Sequence, residues 1–173
     1  MSKPQLKKEL QKLGKEQLIE QICELYDTYK PVKEYYKIFL NPDSIQELFE
    51  KYKAIIVDKF NPGKITRNYR TCFQVAKKTI ADFKMLNPPP KLFAELMMTV
   101  VEKACPLSND YGDMPEQHYD NTANSFERTL KFLQKEKLLS DFKSRCKKCL
   151  KYADKCGGGF SDCMNDIYDE FYP

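Results

Sequence analysis

Phe142-Lys143-Ser144-Arg145-Cys146-Lys147-Lys148-Cys149-Leu150-Lys151-Tyr152-Ala153-Asp154-Lys155-Cys156 admits two readings, and the choice between them decides the fold. For metal chemistry, Cys146, Cys149, Cys156 and the later Cys163 are four thiols that could hold zinc in a tetrahedron. For periodicity, Phe142, Cys146, Cys149, Ala153 and Cys156 fall at i, i+4, i+7, i+11 and i+14, one unbroken stripe along a helix. Phe160, Cys163, Met164, Ile167 and Phe171 make a second stripe. In both, cysteine fills slots where a small apolar residue packs, as buried free cysteine does. The second Cys-x-x-Cys of common zinc sites is missing, and a redox Cys-x-x-Cys needs a βαβ context that this chain lacks. The expectation is therefore core thiols on a helix, with no metal and no cofactor.

The same stretch has a wet side. Lys143, Lys147, Lys151 and Lys155 repeat every four residues, with Arg145 and Lys148 nearby. At about 100° per residue this row falls opposite the cysteine stripe and faces outward. Lysines in register repel one another by about a few tenths of a kcal/mol per pair. The plainer expectation is an internal pairing with Asp162, Asp166, Asp169 and Glu170, brought back by the glycines at 157–159. The functional one is a docking face for an anionic partner, formed by Lys143, Lys147, Lys148, Lys151 and Lys155.

Outward from here, helical spacing covers nearly the whole chain. Stripes run through Leu18, Ile22, Leu25 and Tyr29, then Val32, Tyr35, Tyr36 and Phe39. A third follows a possible capping box at Ser44 and Glu47, from Ile45 to Phe60. Others join Ile65 to Phe83 and Leu92 to Ala104. Asn41-Pro42, Asn61-Pro62 and Asn87-Pro88 break the stripes, because proline disfavours the α conformation in the residue before it. Their spacings of 20 and 26 residues are irregular, so a true repeat is not established. Residues 105–114 read as a long loop, Asp113 with Glu116 as a helix start, and Ser140 as the cap of the cysteine-bearing helix. No segment alternates as a strand would. The expected fold is all-α: a single domain, 1–173, of about nine amphipathic helices, with possible sub-layers 1–86 and 87–173. It would be an antiparallel bundle or a stacked helix-pair (superhelical) array.

Composition agrees with a helical globular chain. Apolar residues make up 42 % of the 173, enough for a core, and charged residues 31 %, as when many helices show a face to water. Residues 1–10 hold no apolar run, and Leu92 to Val101 is short and interrupted by Glu95 and Thr99. Seven cysteines, an odd number, fit free thiols in a reducing compartment. These features point to a soluble, cytoplasmic protein with no membrane span. The net charge of +4 by itself names no partner.

Other candidates have simpler explanations. Lys64, Arg67, Arg70, Lys77, Lys78 and Lys84, against the single acid Asp82, could serve nucleic-acid phosphates with Tyr69 stacking a base. More often such a run is the wet side of a helix. Residues 105–130 are acidic, with Asp110, Asp113, Glu116, Asp120 and Glu127 against Arg128, and would repel phosphates unless they lie on the far side. His118, the only histidine, lies in Glu116-x-His118-x-Asp120. On a helix, side chains two apart diverge by about 200°, so these three do not converge, and His118 is expected on a helix surface. Tyr26, Tyr29, Tyr35 and Tyr36 could line a peptide groove, but are expected to edge helix contacts.

Leu-Gly-Lys-Glu-Gln-Leu-Ile-Glu-Gln-Ile (13–22), Tyr-Lys-Pro-Val-Lys-Glu-Tyr-Tyr (29–36) and Phe-Leu-Asn-Pro-Asp (39–43) resemble an uncharacterised bacterial family, a domain of unknown function. So do Asp-Tyr-Gly-Asp (110–113), Gly159-Phe160-Ser161-Asp162, Tyr168 and Phe171, and the resemblance covers nearly the whole chain. It implies a helical bacterial cytoplasmic protein, and carries over no activity and no functional residues. With no converging catalytic groups, and none of the Glu-x-x-His pairs of di-metal bundles, the expected function is a non-enzymatic helical interaction module. Its expected partner is a protein. The alternative is a nucleic-acid-associated protein using the basic helices near 64–84 and 143–155.

Overall fold

Helix ends in this chain are set largely by residues that cannot continue a helix or that can leave it cheaply. The computed structural model describes residues 1–61, 69–107, 114–156 and 159–172. Lys64, Ile65, Arg67, Asp110, Asp113 and the first two residues of the 157–159 glycine run lie outside them, as do the side chains of Tyr69 and Arg70. The described residues form nine α-helices and no strand: α1 (Lys3–Leu10), α2 (Lys15–Thr28), α3 (Lys30–Leu40), α4 (Ser44–Lys59), α5 (Tyr69–Met85), α6 (Pro90–Ala104), α7 (Glu116–Lys135), α8 (Leu139–Ala153) and α9 (Phe160–Phe171). The protein is all-α. Among the described residues no helix is long and apolar enough to cross a membrane.

The stops have local causes. Ser2 and Gln5 close a capping box on α1, and Pro31 and Pro90 sit in the first turns of α3 and α6, where a missing N–H costs nothing. Asn87, before Pro88, takes a left-handed φ of 52° and ends the run from α5. Lys137 does the same after α7 at φ 59°, with Leu138 N–H donating to the Leu133 carbonyl (2.8 Å) and Lys137 N–H to Gln134 (3.1 Å). That pair of bonds is the Schellman arrangement, usually made with glycine. Gly159 opens α9 at φ 78°, a conformation that any side chain would strain.

Two expected caps are corrected. The Ser44 hydroxyl lies inside α4 and donates back to the carbonyls of Asn41 (2.7 Å) and Lys37 (3.1 Å), so it serves the end of α3. Ser140 lies within the first turn of α8, behind Leu138, because the Schellman turn delivers the chain into the helix two residues early.

The chain forms two compact units, Met1–Ile45 and Gln46–Pro173. The boundary lies at 45/46, whereas the sub-layer division read from the sequence lay at 86/87, where α5 and α6 pack on each other. In the first unit α2 packs on α3, with Tyr26 edge-on to Tyr36 at 6.4 Å between ring centroids. Its buried residues are Glu34 and Ser44, and none is apolar.

The second unit is built around one core. α6 contributes Ala94, Met98 and Val101, α7 Phe126, Leu130 and Leu133, α8 Phe142, Cys146 and Cys149, and α9 Met164, Tyr168 and Phe171. α6 packs on α5, α7 and α8, and α9 returns against both α7 and α8. Four helices sharing one interior make a bundle; in a solenoid each helix pair would touch only its neighbours. α4 closes over α5 through Phe49 and Tyr52 on Phe83 and through Phe60 on Phe73.

Candidate functional site

The dry side of α8 is the one the spacing foretold. Phe142, Cys146, Cys149 and Ala153 are buried, joined by Leu150. Burial pushes the Cys146 thiol up to about 12, against the lowering effect of the Tyr172 hydroxyl 3.8 Å away. A hydrogen bond with Cys105, and then burial, raise Cys149 as well. Both stay protonated at neutral pH, and a thiol is a far weaker nucleophile and metal ligand than a thiolate. Cys156 is half-buried and donates to the Tyr152 carbonyl at 3.5 Å. Among the described residues no three His, Cys, Asp or Glu side chains are placed to hold a metal ion.

Cys163 corrects the second stripe, for it is exposed. The buried line of α9 runs Phe160, Met164, Tyr168 and Phe171, so Cys163 lies one position off it and Tyr168 takes a core place.

On the wet side, Lys143, Lys147, Lys148, Lys151 and Lys155 are all exposed. None has a carboxylate within ion-pair distance among the described residues. Lys143 lies over the Tyr172 ring (5.6 Å) and Lys155 over Tyr152 (5.9 Å). The expected pairing with Asp162, Asp166, Asp169 and Glu170 is thus corrected. α9 meets α8 through its buried stripe, and its Glu170 acts instead on Lys131 of α7, itself bonded to Glu127.

Arg145 also leaves the basic face. Its Nε donates to Glu102 Oε1 (2.7 Å), Nη2 to Glu102 Oε2 (2.8 Å), and Nη1 to Glu95. These bonds, Glu102 first, hold the guanidinium above its already high range. Glu95 and Glu102 are seven apart and so share one side of α6, and the planar fork of arginine clamps both.

A feature the sequence reading missed lies between α5, α6 and α7. It is a groove of about 440 Å³. Phe73, Ala76 and Ile80 of α5 with Met97 and Val100 of α6 give it an apolar surface. Gln117, Asn121, Asn124, Ser125 and Arg128 give it a polar wall, and Lys77 adds a second cation. Among the described residues, none that lines it is a carboxylate. Asp120 and Glu127, the acids feared to repel an anion, lie instead near Cys163 of α9, whose pKa burial raises first and those acids after it. The signal existed, since 117, 121, 124 and 128 step by four, three and four. A polar stripe, however, reads by default as a solvated face. Of the second basic region, Lys77, Lys78 and Lys84 are exposed on α5.

A family profile matches residues 1–172. The chain belongs to a family of unknown function, DUF6155. No curated protein and no solved structure matches it. The matched span contains both the lysine face and the groove.

His118 is a further correction: it is buried, 1 % exposed, and not a surface residue. It stands one turn before Thr122 and two before Phe126, both buried, so it extends the dry side of α7 by a turn. Its Nε2 lies 3.2 Å from the Ala104 carbonyl and therefore carries the proton. The Phe73 and Tyr119 rings lie edge-on to it, and Nδ1 has no hydrogen-bond partner among the described residues. Burial lowers its pKa, opposed by the Ala104 bond. Tyr26, Tyr29 and Tyr35 are exposed, and Tyr36 is half-buried among Tyr26, Tyr35 and Phe39.

Proposed function

We propose that this protein is a non-enzymatic helical interaction module that docks an acidic surface of a partner protein on the lysine face of α8. The supporting observation is a contrast along one stretch: four exposed lysines of α8, and Lys155 in the turn just past it, lack a carboxylate partner among the described residues, while Arg145 has two. Lys143, Lys147 and Lys151 follow one another at about 6 Å along the axis of α8, and Lys155 lies in the turn just past its end. A partner helix with glutamate at every fourth position carries carboxylates at the same interval. It would neutralise a row whose members now repel.

The competing reading is nucleic acid bound by α8 and the 64–84 region. The lysine face is poorly suited to bases, because Phe142 is buried and the Tyr152 and Tyr172 rings are half-buried, each with a lysine over it. The test is fluorescence anisotropy with two labelled probes at rising salt: a helical peptide with glutamate at every fourth position, and single- and double-stranded nucleic acid. Peptide binding that disappears in Lys147→Glu with Lys151→Glu, at an unchanged melting temperature, is the expected result. Steeply salt-dependent binding of nucleic acid without peptide binding would put that partner in its place. Silence from both probes would end the docking-face reading.

A further inference from the structure

We propose that the groove between α5, α6 and α7 binds an amphipathic organic anion: one anionic headgroup on an apolar body. At about 440 Å³ it lies within the roughly 300–1,000 Å³ of small-molecule sites. Its two sides differ in chemistry. Phe73, Ile80, Met97 and Val100 offer a surface that an alkyl or aryl body would cover. Gln117, Asn121, Asn124 and Arg128 line it from α7, and Lys77 lies on α5 between Phe73 and Ile80.

None of these five polar side chains has a hydrogen bond or ion pair among the described residues. In the same unit the half-buried Arg145 satisfies its whole fork with two carboxylates, whereas the exposed guanidinium of Arg128 meets none among the described residues. A guanidinium and an ammonium on a groove with no carboxylate among its described lining residues set the sign of the ligand. Asn124, one turn from Arg128 on α7, is the amide placed to donate to the same headgroup, while Asn121 and Gln117 lie one and two turns further along the groove. The apolar side demands a body, which distinguishes this ligand from an inorganic ion. The site lies on helix faces other than the lysine face of α8, and the inference does not rest on the docking proposal.

Titration of the full chain with anilinonaphthalene sulfonate, read by fluorescence, tests it, with decanoate and decanol as competitors. Saturable binding at one probe per chain is expected, with decanoate displacing the probe and decanol failing at the same concentration. Arg128→Ala combined with Lys77→Ala should weaken binding by about tenfold, the loss of a charge-assisted contact, without moving the melting temperature. Asn124→Trp, at an exposed rim position, should block the groove. The α8 variant Lys147→Glu with Lys151→Glu should bind the probe normally, which keeps the two proposals separable. No binding, equal competition by decanol, or binding untouched by both groove variants would overturn the inference. The last result would move the probe to the exposed side chains of 19–40.

Discussion

Residues 1–45 and 46–173 are written in the same language of amphipathic helices, yet only the second builds an interior. In 46–173, stripes from α6, α7, α8 and α9 converge, and Phe126, Leu130, Leu133 and Met164 are fully enclosed. In 1–45, Ile19, Ile22, Leu25, Tyr29, Tyr35 and Phe39 all remain more than a third exposed, although they sit at the same helical intervals. A fully buried side chain needs about 6–12 neighbours. Two helices face to face supply contact along one line only, whereas four supply it on every side. An apolar stripe is thus a demand for cover, and the number of stripes meeting at one place decides whether it is met.

The largest expected effect divides the chain at that boundary. A fragment of 46–173 should keep a helical circular dichroism spectrum and melt cooperatively, while a peptide of 1–45 should be mostly unfolded. A cooperative melt from the peptide would break the comparison. Next, Phe126→Ala should cost about 3–5 kcal/mol in a denaturant titration. Phe39→Ala, at a residue 66 % exposed, should stay within about 0.5 kcal/mol. Arg145→Ala should cost about 2 kcal/mol by leaving Glu95 and Glu102 half-buried without their cation. Lys147→Glu with Lys151→Glu, on the same helix, should cost almost nothing.

The smallest effect is a pH dependence within the larger unit. Burial lowers the His118 pKa, so below its ordinary value of 6.5 the unfolded chain binds a proton that the folded chain refuses. Its contribution is present above that value and is lost as pH falls towards the folded-state pKa, by at most about 1.4 kcal/mol per pH unit. Melting temperatures from pH 7.5 down to 5.5 should fall more steeply in the parent than in His118→Gln. Equal slopes would mean that the imidazole takes up its proton without opening the core.

Much of this molecule was readable from spacing. The stripe Phe142, Cys146, Cys149 and Ala153 is buried and the lysines opposite it are exposed, because both follow from the 3.6-residue turn of one helix. Asn87-Pro88 ends α5 for the reason the dipeptide suggests. The misreadings cluster where a second element intervenes. The divergence of Glu116 and Asp120 from His118 says nothing of its surroundings, which are the Ala104 carbonyl and the Phe73 ring that other helices deliver. The groove was hidden because its amides look like any wet face until α5 stands across from them.

Taken alone, the amino-acid sequence determined that the chain is helical, where several helices stop, and which side of α8 is dry. Those are consequences of contacts within a few residues. Tertiary structure alone decided that Arg145 is clamped by Glu102, 43 residues away, that the α8 lysines meet no carboxylate among the described residues, that Cys163 faces water, and that Lys77 and Arg128 share a groove. Periodicity says which residues share a face. Which helix arrives to cover that face is settled by the joint packing of all the stripes, and no local window of sequence contains it.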